Sequence, residues 1–517
     1  MAETPIVRTE SGSLVGRVSA DGEVHSFKGI PYARPPIGTL RWKGPQSPQA
    51  WSGVRKADRF GPRSIQPDRP ANSVSYFGPE EESEDCLTLN IWTSAPMRGP
   101  KQPVMMWIHG GGFSVGSGSL PIFDGEALAR RGIVLVTINH RLGGLGFLAH
   151  PELTRESETA SSGNWGLLDQ IAALRWLRDN VEAFGGDPAN VTIFGQSVGS
   201  ASVNCLMASP LACGLFHRAI GESGGSMGPL GRPGSGSLLT LAQAEKIGER
   251  VAASFGRRSL EELRAMPARD IQLSWPKGPE FRPFVIVDGH ALPEGVYDIY
   301  AAGRQNDVPL LTGANSHEGS SRAPFTDLAQ WKRALQEEFG ADWQRLFEAY
   351  GNGEDFGWMS RRHACHKSFN VMNWTWARVQ RDTGRSDVFF YHFSHAPPLP
   401  PDHTYSEAVN GRLGAFHTAE IPYVFGTLDK RAWPWQEYDR QLSETMSSYW
   451  VNFATRGDPN GAGLPAWPKF DPQAPTVMRF DDTIAVGELP ERALFDLWDE
   501  VMRHQREAGG RSVAAAE

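Results

Sequence analysis

Midway along the chain an apolar run, Val191-Thr192-Ile193-Phe194, ends in Gly195-Gln196-Ser197-Val198-Gly199 and passes directly into Ser200-Ala201-Ser202-Val203. The pattern reads as a strand, a tight turn and a helix, with the serine at the apex. A strand-to-helix turn this sharp crowds the backbone, and glycines on either side relieve the crowding because they carry no Cβ. A serine held there keeps its hydroxyl exposed, the placement a nucleophile needs. The chain has 56 glycines in 517 residues, so the five-residue pattern gains weight only from what accompanies it.

A second glycine turn lies upstream, where Val104-Met105-Met106-Trp107-Ile108 runs into His109-Gly110-Gly111-Gly112-Phe113. Acyl transfer builds negative charge on the carbonyl oxygen, and each preorganised backbone donor stabilises that charge by about 2.7–4 kcal/mol. Gly111 and Gly112 are the candidate donors, with the N–H of Val198, just after the serine, as the third.

Hydrophobic residues make up 40% of the chain, charged residues 21%, and the net charge is −8, the balance of an ordinary globular enzyme. There is no basic patch for nucleic acid and no apolar run long enough to span a membrane. Strands and helices alternate to about residue 225, the pattern of a doubly wound, mostly parallel α/β sheet, entered through an antiparallel sheet over residues 6–60. Trp165 to Val181 has apolar residues at helical spacing, and helical segments over about 238–310 and 325–385 read as a cap. No linker interrupts the pattern, so one domain is expected over 1–505, followed by a Gly/Ala-rich flexible tail over 506–517. Most of the 17 tryptophans are expected in the core and a few around the site. Met1-Ala2-Glu3-Thr4-Pro5 lacks the basic region and apolar core of a signal peptide, and the four cysteines suit a reducing compartment, so a cytoplasmic protein is expected. Cys205 and Cys213 are close enough in sequence to pair, but reduced thiols are the default there.

Further segments extend the pattern: Phe27-Lys28-Gly29-Ile30-Pro31-Tyr32-Ala33, Ser83-Glu84-Asp85-Cys86-Leu87-Thr88-Leu89-Asn90-Ile91, Asn139-His140-Arg141-Leu142-Gly143, Gly163-Asn164-Trp165-Gly166 and Phe184-Gly185-Gly186-Asp187-Pro188. With Asn315-Ser316-His317-Glu318-Gly319 and Tyr449-Trp450-Val451-Asn452-Phe453-Ala454 they make the chain resemble a bacterial-type member of the type-B carboxylesterases, the group that includes the cholinesterases. The resemblance covers nearly the whole chain and implies the α/β-hydrolase fold in one large domain. It also implies that Glu318 is the acid and His417, within Gly414-Ala415-Phe416-His417-Thr418-Ala419-Glu420, the base. The order serine, acid, histidine is that of the fold. His417 would take the proton of Ser197 as it attacks the ester carbonyl and return it to the departing alcohol, while Glu318 holds the imidazole tautomer. A free histidine titrates near about pH 6.5, so activity should fall in mild acid.

The same resemblance implies buried ion pairs, Arg41 with Glu84 and Arg141 with Asp169, a supporting Ser223, and an acyl pocket lined by the glycine-rich stretch from Ser223 to Ser237. In that stretch Met227 and Leu230 are the sizeable apolar side chains, which suggests a roomy pocket; Gln196, Phe113 and Tyr76 complete the pocket candidates. Cys86 lacks the partner secreted relatives provide, since Ser64 occupies that position. Gln196 stands where cholinesterases have glutamate, which removes the charge that would favour a choline ester, and Val198 replaces an alanine beside the oxyanion donors, where it takes up space. His363-Ala364-Cys365-His366 crowds its ligands into four residues of a helix and is not read as a metal site; His317, beside Glu318, is read as a spectator. No metal or cofactor is expected. The expected activity is hydrolysis of small to medium uncharged esters, aryl esters among them, by a monomer or weak homo-oligomer. Amide or carbamate hydrolysis by the same triad is the alternative, and a non-catalytic cholinesterase-like binding module a remote one.

Overall fold

Within the strand Gln102–Ile108, Val104, Met106 and Ile108 enter the hydrophobic core on one face and Met105 and Trp107 enter the core on the other. Side chains of a strand alternate faces, so a strand covered on both sides needs a continuous apolar run. Val134–Ile138 repeats the pattern, with Val134, Val136 and Ile138 on the first face and Leu135 on the second. In this computed structural model both belong to a sheet of 11 strands. The structure describes residues 2–94, 99–231, 236–257, 259–318, 325, 327–351, 355–409 and 411–514, with side chains to residue 508.

From Val134–Ile138 through Gln102–Ile108, Gly186–Gln196, Arg218–Glu222, Leu310–Asn315 and Val388–Phe393 to Thr476–Phe480, every neighbouring pair is parallel. Thr88–Thr93, His25–Pro31 and Ile484–Glu488 add antiparallel pairings toward the edges. Parallel neighbours require crossover connections, and helices such as Trp165–Asn180 and Val198–Ala208 supply them. This is the α/β-hydrolase architecture. The entry region differs from the expected single antiparallel sheet over residues 6–60. Val7–Thr9, Gly12–Val15 and Val54–Lys56 form a separate sheet of three strands in which the last two run parallel, whereas Arg17–Val18 and His25–Pro31 join the large sheet. Phe27 and Ile30 are buried in the same core as Val7 and Leu14 of the small sheet.

Helices cover the region above the sheet: Leu241–Ser254, Leu260–Ala265, Ala268–Leu273 and Val296–Ala301, then Leu328–Phe339, Trp343–Tyr350, Phe356–Cys365 and Val371–Thr383. Thr240 and Gln243 start the first of these with a reciprocal capping box. A single π-turn, His366–Asn370, joins the last two, and such widened turns bring side chains inward at functional sites. The C-terminal segment expected as a flexible tail from 506 begins within a helix. Helix Arg492–Ala514 continues into it, and Arg506 Nη1 donates to the Met227 carbonyl at 3.0 Å with its guanidinium 3.8 Å from the Tyr297 ring centre. Residues 515–517 lie outside the described residues.

Both anticipated ion pairs form. Arg141 Nη2 lies 2.7 Å from Asp169 Oδ1, with the two side chains 3% and 0% exposed, and Arg41 Nη2 lies 2.6 Å from Glu84 Oε2. All four cysteines are free; Cys205 is buried and Cys213 exposed, so these two do not pair. Burial raises the Cys86 thiol to about 12. Among the described residues no helix is long and apolar enough to cross a membrane.

Candidate active site

Ser197 stands between the end of strand Gly186–Gln196 and the start of helix Val198–Ala208 with φ 61° and ψ −126°. A non-glycine residue in such a conformation costs about 1–3 kcal/mol and persists only where its surroundings over-determine it. The surroundings here do so. A Cβ on Gly199 would stand 2.0 Å from the Ile108 carbonyl oxygen, and one on Gly224 would stand 2.1 Å from that of Ser197. The Ser197 N–H donates to the Glu222 carbonyl at 2.9 Å, which ties the turn to the neighbouring strand.

The loop containing His417 and the loop after strand Leu310–Asn315 converge on this serine. The Ser197 hydroxyl reaches His417 Nε2 at 2.7 Å, and His417 Nδ1 reaches Glu318 Oε2 at 2.5 Å. Glu318 is fully buried, and its other oxygen accepts from the Asn315 N–H at 2.5 Å. Asn315 Nδ2 in turn donates to the Phe416 carbonyl at 2.8 Å and to Glu420 Oε2 at 2.5 Å, joining the acid loop to the histidine loop. The Gln196 amide donates to the His417 carbonyl, and the Phe369 ring, delivered by the π-turn, lies 4.1 Å from the imidazole centre.

Gly111 and Gly112 have φ of 118° and 66°, and a Cβ on Gly111 would stand 1.8 Å from the Val115 carbonyl oxygen, so glycine is required there. Among the described residues no acceptor takes the N–H groups of Gly111, Gly112 or Val198. Gly111, Gly112 and Val198 line the same cavity as Ser197.

These groups open on a cavity of about 780 Å³. Gln196, Ser197, Val198, Gly224, Gly225 and Gly236 line it, and its aromatic wall is Phe123, Phe284, Phe325, Phe369 and Phe416. Four pocket expectations are corrected. Met227 is fully buried in the core, Leu230 packs against that core, Phe113 is buried against Phe147 and Phe284, and Tyr76 is exposed at the surface; none faces the cavity. Residues 232–235 of the glycine-rich stretch lie outside the described residues. No tryptophan lines the cavity among the described residues: Trp374 and Trp376 are core, and Trp433 and Trp435 pack elsewhere. Large rings are spent where apolar area is buried, and the phenylalanines were indistinguishable from core residues in the sequence.

Other polar residues resolve locally. His363 is buried among Trp331, Tyr350 and Trp498 and reaches the cavity edge, while His366 bonds Tyr350 and Glu491 and Cys365 bonds Asn370. His317 bonds Ser316 and the Ala415 N–H. His140 stacks on His109 at 4.7 Å, and burial keeps its pKa far below the ordinary histidine value. Behind the elbow, burial raises Glu222 to about 8 and pushes Glu420 well above the carboxylate range, so this buried pair favours the protonated form.

Comparison with known proteins agrees with this geometry. The sequence matches the Carboxylesterase family over residues 3–498. It is 36% identical to the para-nitrobenzyl esterase of Bacillus subtilis over 94% of this chain and 96% of that one, and 35% identical to the fumonisin B1 esterase of Sphingopyxis macrogoltabida over 93% and 87%. The crystal structure of the Geobacillus stearothermophilus carboxylesterase EST55 superposes with a TM-score of 0.81 at 33% identity, covering 96% of this chain and 100% of that one. A serine elbow facing a glycine turn at the carboxyl ends of a parallel sheet, aligned end to end with such relatives, belongs to an ester hydrolase, and this chain is a member of the carboxylesterase family.

Proposed function

We propose that Ser197, His417 and Glu318 carry out carboxylic ester hydrolysis through an acyl-enzyme, with Gly111, Gly112 and Val198 as the oxyanion donors. The observation that supports this most directly is the unbroken series Ser197 Oγ, His417 Nε2, His417 Nδ1 and Glu318 Oε2 at 2.7 and 2.5 Å. As Oγ attacks the carbonyl carbon, its proton passes to Nε2 and the carbonyl oxygen becomes an oxyanion facing the three N–H groups. Collapse expels the alcohol, which takes the proton from Nε2, and water repeats the sequence to release the acid. The neutral Gln196 amide, turned onto the His417 carbonyl, offers no charge to a quaternary ammonium, which supports neutral esters over choline esters. A cavity walled by phenylalanines and glycines supports small to medium esters, aryl esters included. The four free cysteines support a reducing, cytoplasmic setting.

The test is stoichiometric labelling by an organophosphate together with turnover of p-nitrophenyl acetate. Wild type takes one label on Ser197, and Ser197→Ala loses both label and turnover. An unlabelled wild type, or an active Ser197→Ala, overturns the assignment.

A further inference from the structure

Two guanidinium groups stand beside the oxyanion glycines. Arg69 Nη2 lies 3.2 Å from the position a Cβ on Gly111 would take, and Arg282 Nη2 lies 3.7 Å from the equivalent point at Gly112. Both line the cavity, and among the described residues neither side chain makes a hydrogen bond or an ion pair. Arg361 also lines the cavity and is 1% exposed; its Nη2 donates to the His317 and Leu413 carbonyls at 2.6 and 3.2 Å, while among the described residues Nε and Nη1 have no acceptor.

The carboxylates facing the same space are otherwise engaged or peripheral. Glu407 accepts from Ser73 Oγ at 2.5 Å, the Val74 N–H at 3.1 Å and Ser406 Oγ at 2.9 Å. Glu338 is paired with Lys367 at 2.5 Å, and Glu280 is exposed. With histidines neutral, Arg69, Arg282, Arg361 and Lys367 against Glu280, Glu338 and Glu407 leave one positive charge in excess, in a chain whose net charge is −8. Desolvation lowers both Arg69 and Arg282 from the ordinary arginine value, with Arg69 half-buried and Arg282 still exposed to solvent. Glu407 and Glu80 act on Arg69 only from beyond ion-pair distance, so a carboxylate arriving from outside gives both guanidinium groups the direct partner they lack among the described residues. The guanidinium fork suits a carboxylate in particular.

We propose that the cavity recognises esters carrying a free carboxylate away from the scissile bond, bound by Arg69 and Arg282. This rests on the ester-hydrolase reading above and goes beyond neutral esters to the class the enzyme prefers.

The test compares mono-p-nitrophenyl adipate with methyl p-nitrophenyl adipate, which share leaving group and chain length and differ by one charge. The pair 4-acetoxybenzoate and methyl 4-acetoxybenzoate places the charge on the alcohol side, each rate being taken relative to hydroxide-catalysed hydrolysis of the same ester because the leaving phenols differ in acidity. In at least one pair, wild-type kcat/KM favours the anion by about tenfold at low salt, and added salt erodes the preference. Arg69→Gln with Arg282→Gln abolishes the preference. Should that variant fail to fold, wild-type inhibition decides: adipate must inhibit p-nitrophenyl acetate hydrolysis more strongly than its dimethyl ester. The proposal is overturned by no anion preference in both pairs while the neutral esters turn over. It is equally overturned if the double variant slows both members of a pair alike, since the arginines would then serve the oxyanion alone. Absence of turnover on every ester, with Ser197 unlabelled by organophosphate, defeats the hydrolase reading instead.

Discussion

Replacing Glu318 by glutamine isolates what a buried carboxylate contributes to the histidine. The side chain is fully buried, with one oxygen accepting from the Asn315 N–H at 2.5 Å and the other from His417 Nδ1 at 2.5 Å. In Glu318→Gln the Asn315 N–H still demands an acceptor, so the amide oxygen stays there and the NH₂ group turns to Nδ1. Two donors cannot share that contact, and the imidazole then carries its proton on Nε2, where it cannot accept from Ser197. Reversing the amide sets NH₂ against the buried N–H, at about 1–3 kcal/mol for the unmet donor. Loss of the charge-assisted bond to the imidazolium that forms in the reaction adds about 1.5–3 kcal/mol. At about 1.36 kcal/mol per decade, kcat falls by about 10²- to 10⁴-fold. The assay is steady-state hydrolysis of p-nitrophenyl acetate, with organophosphate labelling as a probe of acylation alone; both rates fall together and KM changes little. A folded Glu318→Gln within tenfold of wild type in kcat would refute the reasoning.

Three further outcomes follow from the geometry. Asp169→Asn leaves the Arg141 guanidinium buried without its counter-charge and lowers stability by about 3–5 kcal/mol, read from urea unfolding; a loss below about 1 kcal/mol contradicts the buried-pair argument. Gly199→Ala drives a methyl to 2.0 Å from a strand carbonyl, so the elbow must shift; kcat/KM drops by more than about tenfold, alongside a stability loss of about 1–3 kcal/mol, and unchanged activity contradicts the close approach. Burial raises Glu222 to about 8 in the folded chain against about 4.3 in an unfolded one, so the folded state retains a proton the unfolded state has released. The stability tied to that proton is complete below about pH 4.3 and is lost as pH rises through about 8. Glu222→Gln, which keeps an acceptor for Trp450, removes this dependence, so melting curves at rising pH show a growing advantage for the variant, and a constant offset speaks against it.

Local chemistry made much of the site legible in the sequence. The apolar runs ending at Ile108 and Phe194 are continuous because both faces of those strands are buried, and that marks a parallel sheet with helices on each side. The glycines at 111, 195 and 199 are dictated by backbone atoms within a few residues or on an adjoining strand, so the turns they mark stand out in one dimension. The pocket was legible only in part. Met227 and Phe113 look like pocket residues beside functional motifs, yet both turn into the core, because orientation depends on elements distant in the sequence, such as Phe284 for Phe113. Arg69, Arg282, Arg361 and Phe369 carry no local signal, being separate loop, helix and π-turn residues that meet only over the folded sheet. The sequence by itself determined the strand–turn–helix on which Ser197 sits, since the steric limits there are short-range. The tertiary structure alone decided which side chains wall the cavity and which charges lie unpaired within it, because burial and pairing are set by contacts between distant segments.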